Sequence, residues 1–403
     1  MARYKDIDVA RLTAPEVKRT DEMEAFFQWS NAEDKAMGMP DLNLVSVPEM
    51  RAWRARGSVR TNANPPKVED IERVLVPALT HWNHPGFFGY FAISSSASGV
   101  LAEFLSAALN QQAMLWRTSP AATELEEVAL GWLRQLLGLP SSFEGVIYDT
   151  ASISTLHALA AARHVAVPDV ATRGLAGRTD ISPLRVYCSD QAHSSVDKAV
   201  MTLGLGRDSL RRIEVDAEYR MQPSALEAAI TADVRAGLTP MAVVATIGTT
   251  STTSVDPVAP VHDIAARHGL WLHVDAAYAG PTAMLPEYRA VFAGWEHADS
   301  IVVNPHKWLF TPFDLSAFYC RRMDTVRNAF SVVPEYLRTA EAERGVRNLM
   351  DTGVQLGRRF RSLKLWMMLR HIGASRIRAV LREHVRDRKS TRLNSSHLGI
   401  SYA

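Results

Sequence analysis

Ile301-Val302-Val303-Asn304-Pro305-His306-Lys307-Trp308 is the stretch on which the reading of this chain turns. Three β-branched residues in succession, with no polar alternation, mark a strand buried on both faces of a parallel sheet. Asn304-Pro305 ends the strand, because proline withdraws a ladder donor and restricts the residue before it. Lys307 then falls on the loop beyond the strand's carboxyl end, where open α/β sheets place their ligands. A lysine by itself is ordinarily a solvated surface charge. Its meaning depends on what the neighbouring strands bring.

Upstream, Trp271-Leu272-His273-Val274-Asp275 is a second strand of the same character, and it ends in a carboxylate. An aspartate after a strand is most often a turn former or a helix cap. The ordered pair carries more. An amine and a carboxylate at the ends of neighbouring strands meet the needs of pyridoxal phosphate. The amine condenses with the aldehyde, and the carboxylate keeps the pyridine nitrogen protonated so that the ring accepts electrons.

Working outward, strands are predicted at Gly145 to Ile147, Arg185 to Cys188, Ile213 to Val215, Met241 to Ile247 and Leu315 to Cys320. Helices alternate with them. Ser119-Pro120 opens one, with Ser119 as N-cap and proline in the first turn, and Gly138 stops it. Others run from Ser154 to about His164, from Gln222-Pro223-Ser224 onward, and from Val258 to Arg267. The alternation implies an α/β fold with a mostly parallel sheet covered by helices. A helical pattern beginning at Val68 should kink or end at Pro77.

The other strand ends offer what a phosphorylated ligand requires. Thr150-Ala151-Ser152 opens a helix, where small residues let backbone N–H groups approach a phosphate and the dipole favours its charge. Gly248-Thr249-Thr250 brings small side chains and hydroxyls beneath a planar ligand, and His193 could lay its imidazole on a ring face. Hydroxyl residues there are also ordinary N-caps, and a lone histidine is more often structural. The aromatic run from His81 to Phe91 reads equally as interface packing or as a substrate-facing wall. His81 and His84 lack a nearby carboxylate or cysteine, so no metal site is expected.

Composition excludes several classes. With 403 residues, 47% hydrophobic and 22% charged, the chain has an ordinary globular make-up. Forty-five basic and 43 acidic residues leave a net charge of +2, which gives no reason to expect a nucleic-acid or membrane partner. Two cysteines, Cys188 and Cys320, are too few for a disulfide framework. The N-terminus lacks an apolar core and no run is long enough to span a bilayer, so a cytoplasmic protein is expected.

Four motifs resemble the group II pyridoxal-phosphate amino-acid decarboxylases, and most of all their aromatic-L-amino-acid decarboxylase branch. They are Asp190 to Val196 (DQAHSSV), His273 to Gly280 (HVDAAYAG), Asn304 to Trp308 (NPHKW) and Gly357 to Lys364 (GRRFRSLK). The likeness spans about Pro65 to Arg386. It implies a fold-type I architecture with a seven-stranded sheet, a homodimer, and decarboxylation of an aromatic amino acid. Lys307 would be the Schiff-base lysine, Asp275 the pyridinium partner, Ala277 the ring's lower face and His193 its upper. Ala151, Ser152 and Asn304 match phosphate positions, with His306 nearby, and Thr250 matches a cofactor contact. Tyr90 and Phe91 match pocket aromatics. Tyr336 matches a loop tyrosine that returns a proton to the substrate carbon; members with phenylalanine there resemble aldehyde synthases. Gly357 stands where histidine-decarboxylating relatives carry serine, which favours a larger phenolic or indolic ring.

The chain also departs from the family pattern. Ala92-Ile93 replaces a Pro-Thr pair, and Asp149 puts a carboxylate beside the phosphate cradle, which it would oppose unless turned away. Residues from Asp387 to Ala403 read as an in-frame translation of a sequencing adapter rather than protein. The expected organisation is an N-terminal segment (1–96), a large cofactor-binding domain (97–363), the start of a truncated small domain (364–386) and the adapter-like tail (387–403). Two rival readings stand beside the main one: a relative acting on glutamate or another non-aromatic acid, and a non-catalytic binding subunit.

Overall fold

The computed structural model describes residues 76, 79, 82, 91, 93–332 and 346–397, with side chains as far as Asp387. Tyr90, Tyr336, His81, His84 and nearly all of the Val68–Leu79 pattern lie outside the described residues. The chain forms two compact units, Met1–His84 and Pro85–Ala403. The second unit holds the sheet.

Its elements run in order α1 (Ala97–Leu109), α2 (Pro120–Leu137), β1 (Glu144–Tyr148), α3 (Ala151–Ala166), β2 (Leu184–Ser189), α4 (Ser195–Thr202) and β3 (Leu210–Ile213). They continue α5 (Pro223–Arg235), β4 (Thr239–Thr246), α6 (Val258–His268), β5 (Trp271–Asp275), β6 (Ser300–Val303), β7 (Ser316–Cys320), α7 (Met323–Phe330), α8 (Ser362–Ile372) and α9 (Ala374–His397). The seven strands pair in the order β1-β7-β6-β5-β4-β2-β3. β7 runs antiparallel to both its neighbours, and the remaining pairs are parallel.

Side chains along the strands alternate between two cores, as the strand period of two requires. Ile147, Tyr187, Val243, Leu272, Val274, Ile301, Val303 and Tyr319 face one core with Leu130 and Leu133 of α2, Ile230 of α5 and Val261 of α6. Val146, Val186, Val244, Trp271 and Phe318 face the other, with Leu159 of α3 and Val200 of α4. Burial on both faces is why these strands read as unbroken apolar runs.

Two local expectations are corrected. The third strand lies at Leu210–Ile213, not Ile213 to Val215. It is an edge strand, and Arg211 and Arg212 inside it hide its apolar signal while pairing with Asp233 and Asp197. Ser119 does occupy the N-cap position of α2, but its side chain makes no capping bond. Its carbonyl instead accepts from Ala122 and Thr123.

Candidate active site

Because β1, β2, β4, β5 and β6 run the same way, their carboxyl ends share one edge of the sheet. Asp275 closes β5, Lys307 follows β6, Thr250 follows β4, His193 follows β2, and Ala151-Ser152 follow β1. The β5 and β6 loops are stitched together by backbone. Ala276 N–H donates to Val302 O at 3.0 Å, and Asn304 N–H donates to Ala277 O at 3.1 Å. Asp275, 6% exposed, accepts from Ala277 N–H at 3.1 Å. These bonds hold the carboxylate and the lysine loop in one frame. At Gly248 the φ of +89° suits glycine, and a Cβ there would meet Ala279 Cβ at 2.8 Å, so the loop carrying Thr249 and Thr250 closes onto the β5 loop only with glycine.

Lys307 is half-buried. Its Nζ lies 5.5 Å from the centroid of the Phe91 ring, which stacks on Tyr278 at 3.6 Å. Tyr278 in turn stacks on Trp308 at 5.1 Å. Burial lowers the lysine's pKa, and the Asp275 carboxylate pulls it back. Ser94 fixes the lysine's backbone: its hydroxyl donates to Lys307 O at 2.6 Å and accepts from Phe310 N–H at 2.9 Å. Neither Ser94 nor Tyr278 stood out in the sequence. Ser94 acts across 213 residues, so no local spacing could reveal it.

His193 is exposed on one edge, and its Nδ1 accepts from Ser195 N–H at 3.1 Å. Desolvation lowers its pKa; Asp275 opposes that shift and Lys307 adds to it. All three groups therefore lie within electrostatic reach of one another. Ala277 is buried, Thr250 is exposed, and Phe91 is half-buried.

Ala151 and Ser152 are half-buried and open α3, where helical geometry leaves their N–H groups without an intrahelical acceptor. Asp149 is turned into contacts of its own. It accepts from Thr150 N–H at 2.7 Å and from Gln355 Nε2 at 3.1 Å. Asn304 is buried, and its Oδ1 has no partner among the described residues. Gly357 is exposed beside Gln112, and the next residue, Arg358, is anchored in a buried pair with Glu126 at 2.7 Å. No group of three or more metal-ligating side chains occurs among the described residues.

An amine and a carboxylate sharing one sheet edge, a helix N-terminus with open N–H groups and a buried unpartnered amide suit pyridoxal phosphate. Residues 60–393 match the pyridoxal-dependent decarboxylase conserved domain. The chain belongs to that family.

Pyridoxal phosphate is accordingly the cofactor of this family member. It is 42% identical over 329 residues to the Bos taurus aromatic-L-amino-acid decarboxylase, covering 79% of this chain and 67% of the relative. It is 40% identical to the Arabidopsis thaliana phenylacetaldehyde synthase, covering 79% of this chain and 66% of that protein. The crystal structure of Oryza sativa TDC with PLP and tryptamine superposes with a TM-score of 0.79 at 37% identity, over 90% of this chain and 75% of that one. The chain thus spans about two thirds of the length of the curated relatives it matches. No described helix is long and apolar enough to cross a membrane.

Proposed function

We propose that this decarboxylase-family chain converts an aromatic L-amino acid to its amine and carbon dioxide, working as a homodimer. The observation that carries the proposal is the mutual electrostatic reach of Lys307, Asp275 and His193 at one sheet edge. When bound, the cofactor supplies an electron sink for the bond to the departing carboxylate. Desolvation keeps the Lys307 amine neutral more of the time, as a nucleophile must be. Asp275 would hold a proton on the ring nitrogen, because an ion pair in a buried setting favours the charged forms. The small side chain of Ala277 leaves one ring face clear, and His193 would cover the other. The N–H groups of Ala151 and Ser152, with Asn304, would hold the phosphate, Thr250 would contact the cofactor, and His306 stands behind Asn304.

Phe91, with Tyr90, would wall the substrate pocket, and Gly357 leaves room for a phenolic or indolic ring. Tyr336 is assigned the proton returned to the substrate carbon once carbon dioxide has left. The similar identities to a decarboxylase and to an aldehyde synthase make this residue the deciding one. Purified protein with pyridoxal phosphate should show a visible absorbance band that Lys307→Ala abolishes. A panel of amino acids should yield amine from tyrosine, dopa, phenylalanine or tryptophan ahead of glutamate or histidine. Glutamate turnover ahead of the aromatic acids refutes the substrate class, and absence of the band refutes the cofactor role of Lys307. Tyr336→Phe should divert product from amine to aldehyde and ammonia, with dissolved dioxygen as the oxidant reduced to hydrogen peroxide; unchanged amine output removes its assigned role.

A further inference from the structure

His306 has both ring nitrogens engaged inside the protein. Its Nδ1 accepts the backbone N–H of Leu315 at 2.8 Å, so that nitrogen carries no proton. Burial pushes the ring's pKa down to about 4, with Lys307 adding to the effect, so the imidazole is neutral at physiological pH. A neutral ring has one proton, and it must therefore sit on Nε2. The group facing Nε2 is the side-chain amide of Asn304, 3.3 Å away.

An amide NH2 cannot accept that proton; an amide oxygen can. With Nδ2 turned to the ring, two donors oppose each other while the buried Asn304 Oδ1 has no partner among the described residues. The two ends of an amide are nearly isosteric and are assigned from the bonds they make. Turning the amide by a half-rotation removes both faults at once. Oδ1 then accepts from His306 Nε2–H, and the NH2 group occupies the buried position that lacked a partner. The described residues supply no acceptor there, and an unsatisfied buried donor is costly, so the NH2 group calls for an acceptor on a bound group.

We infer that His306 is a positioning residue: through Leu315 N–H it is locked as the Nε2–H tautomer, and this forces Asn304 to present its amide hydrogens to the cofactor phosphate. The inference rests on the cofactor reading of this site. It gives His306 no contact with the phosphate itself. The chain of control runs from the Leu315 backbone to the ring and from the ring to the amide. Its consequence is selective for the phosphate, because the rest of the cofactor makes no use of this donor.

The test compares dissociation constants of the full chain for pyridoxal phosphate and for pyridoxal, which lacks the phosphate, by fluorescence titration. His306→Asn keeps an oxygen near the Nδ1 position for Leu315 but removes the donor to Asn304. His306→Gln keeps a donor near the Nε2 position. His306→Asn should weaken pyridoxal phosphate roughly 10- to 100-fold, the worth of one charge-assisted hydrogen bond, and leave pyridoxal unchanged. His306→Gln should stay within about threefold of the parent, on the same hydrogen-bond scale. Asn304→Asp, which replaces the donor by a charge that repels phosphate, should lose at least as much as His306→Asn. Histidine-selective 15N spectra should show, as the resonance lost in both His306 variants, a ring protonated at Nε2 alone. Equal loss for both ligands, or equal loss in both His306 variants, overturns the inference while leaving the cofactor reading intact. A parent chain that saturates with neither ligand overturns both.

Discussion

Replacing Arg358 by methionine removes a cation from a buried network while keeping most of its apolar stem. In the parent, Arg358 is 8% exposed and its guanidinium donates four bonds. Two go to Glu126, at 3.2 and 2.7 Å, one to Ala113 O at 3.2 Å and one to Ile147 O at 2.8 Å. Glu126 is 2% exposed, and its only other donor among the described residues is Ile147 N–H at 2.8 Å. Arg358→Met thus strands a carboxylate that water cannot reach, along with two backbone carbonyls. Breaking a buried pair from one side costs about 3–5 kcal/mol. Glu126→Gln is milder, about 1–3 kcal/mol, because an amide oxygen can still accept one of the bonds and Arg358 keeps its two carbonyls.

The double variant removes both charges, so its loss should fall short of the sum by roughly 2 kcal/mol. Thermal melts of the three variants with and without cofactor measure this, and Arg358→Met should lower the midpoint by on the order of 10 °C. Because Gly357 precedes Arg358, the same variant should raise KM for an aromatic substrate more than it lowers kcat. A melting point within about 2 °C of the parent, or strict additivity in the double variant, would refute the view that this pair holds the Gly357 loop.

Three further outcomes follow from other parts of the structure. Burial lowers the pKa of His157 to about 3 and of His273 and His306 to about 4, so all three are neutral in the folded chain. Their stabilisation is complete above the ordinary histidine pKa of 6.5 and is lost as pH falls below it. Together they should cost about 4 kcal/mol per pH unit between roughly pH 6 and 4, three groups at about 1.4 each; a melting profile flat over pH 7 to 5 contradicts this. Gly280→Ala would bring a Cβ within 2.7 Å of Val303 Cγ2, at the end of the strand that leads into Asn304 and Lys307. That overpacking should cost about 1–3 kcal/mol, read as a lower melting point, and an unchanged midpoint would mean that β6 yields. Asp149→Asn keeps an acceptor for Thr150 N–H while removing a negative charge at the α3 N-terminus. It should tighten pyridoxal phosphate roughly two- to fivefold at low salt, less at high salt; equal affinity would mean the carboxylate lies outside the phosphate's field.

Strands buried on both faces were legible because apolar residues dominate them: Ile301-Val302-Val303 is unbroken, Trp271 to Val274 is interrupted only by His273, and both lie where their composition puts them. Asp275 and Lys307 were legible for the same reason, as an acid that closes one such run and an amine on the short loop just past the other. The edge strand was not, because Arg211 and Arg212 serve ion pairs with Asp233 and Asp197 rather than an apolar face. Glu126 and Arg358 are 232 residues apart, and local periodicity says nothing about a pair that forms only when α2 and the Gly357 loop meet.

His306 shows where sequence reading stops for a deeper reason. Its neighbours Asn304, Pro305 and Lys307 mark a site, and a histidine inside such a motif invites assignment as a ligand contact. What decides its role is a single backbone N–H, that of Leu315, delivered by the start of the strand that returns antiparallel beside β6. That bond leaves one tautomer, and the tautomer leaves one orientation for Asn304. A reversed strand in an otherwise parallel sheet therefore does more than fill space between β1 and β6. Its entry fixes a proton at the candidate site, and the position of a proton is a property of the fold before it is a property of any residue.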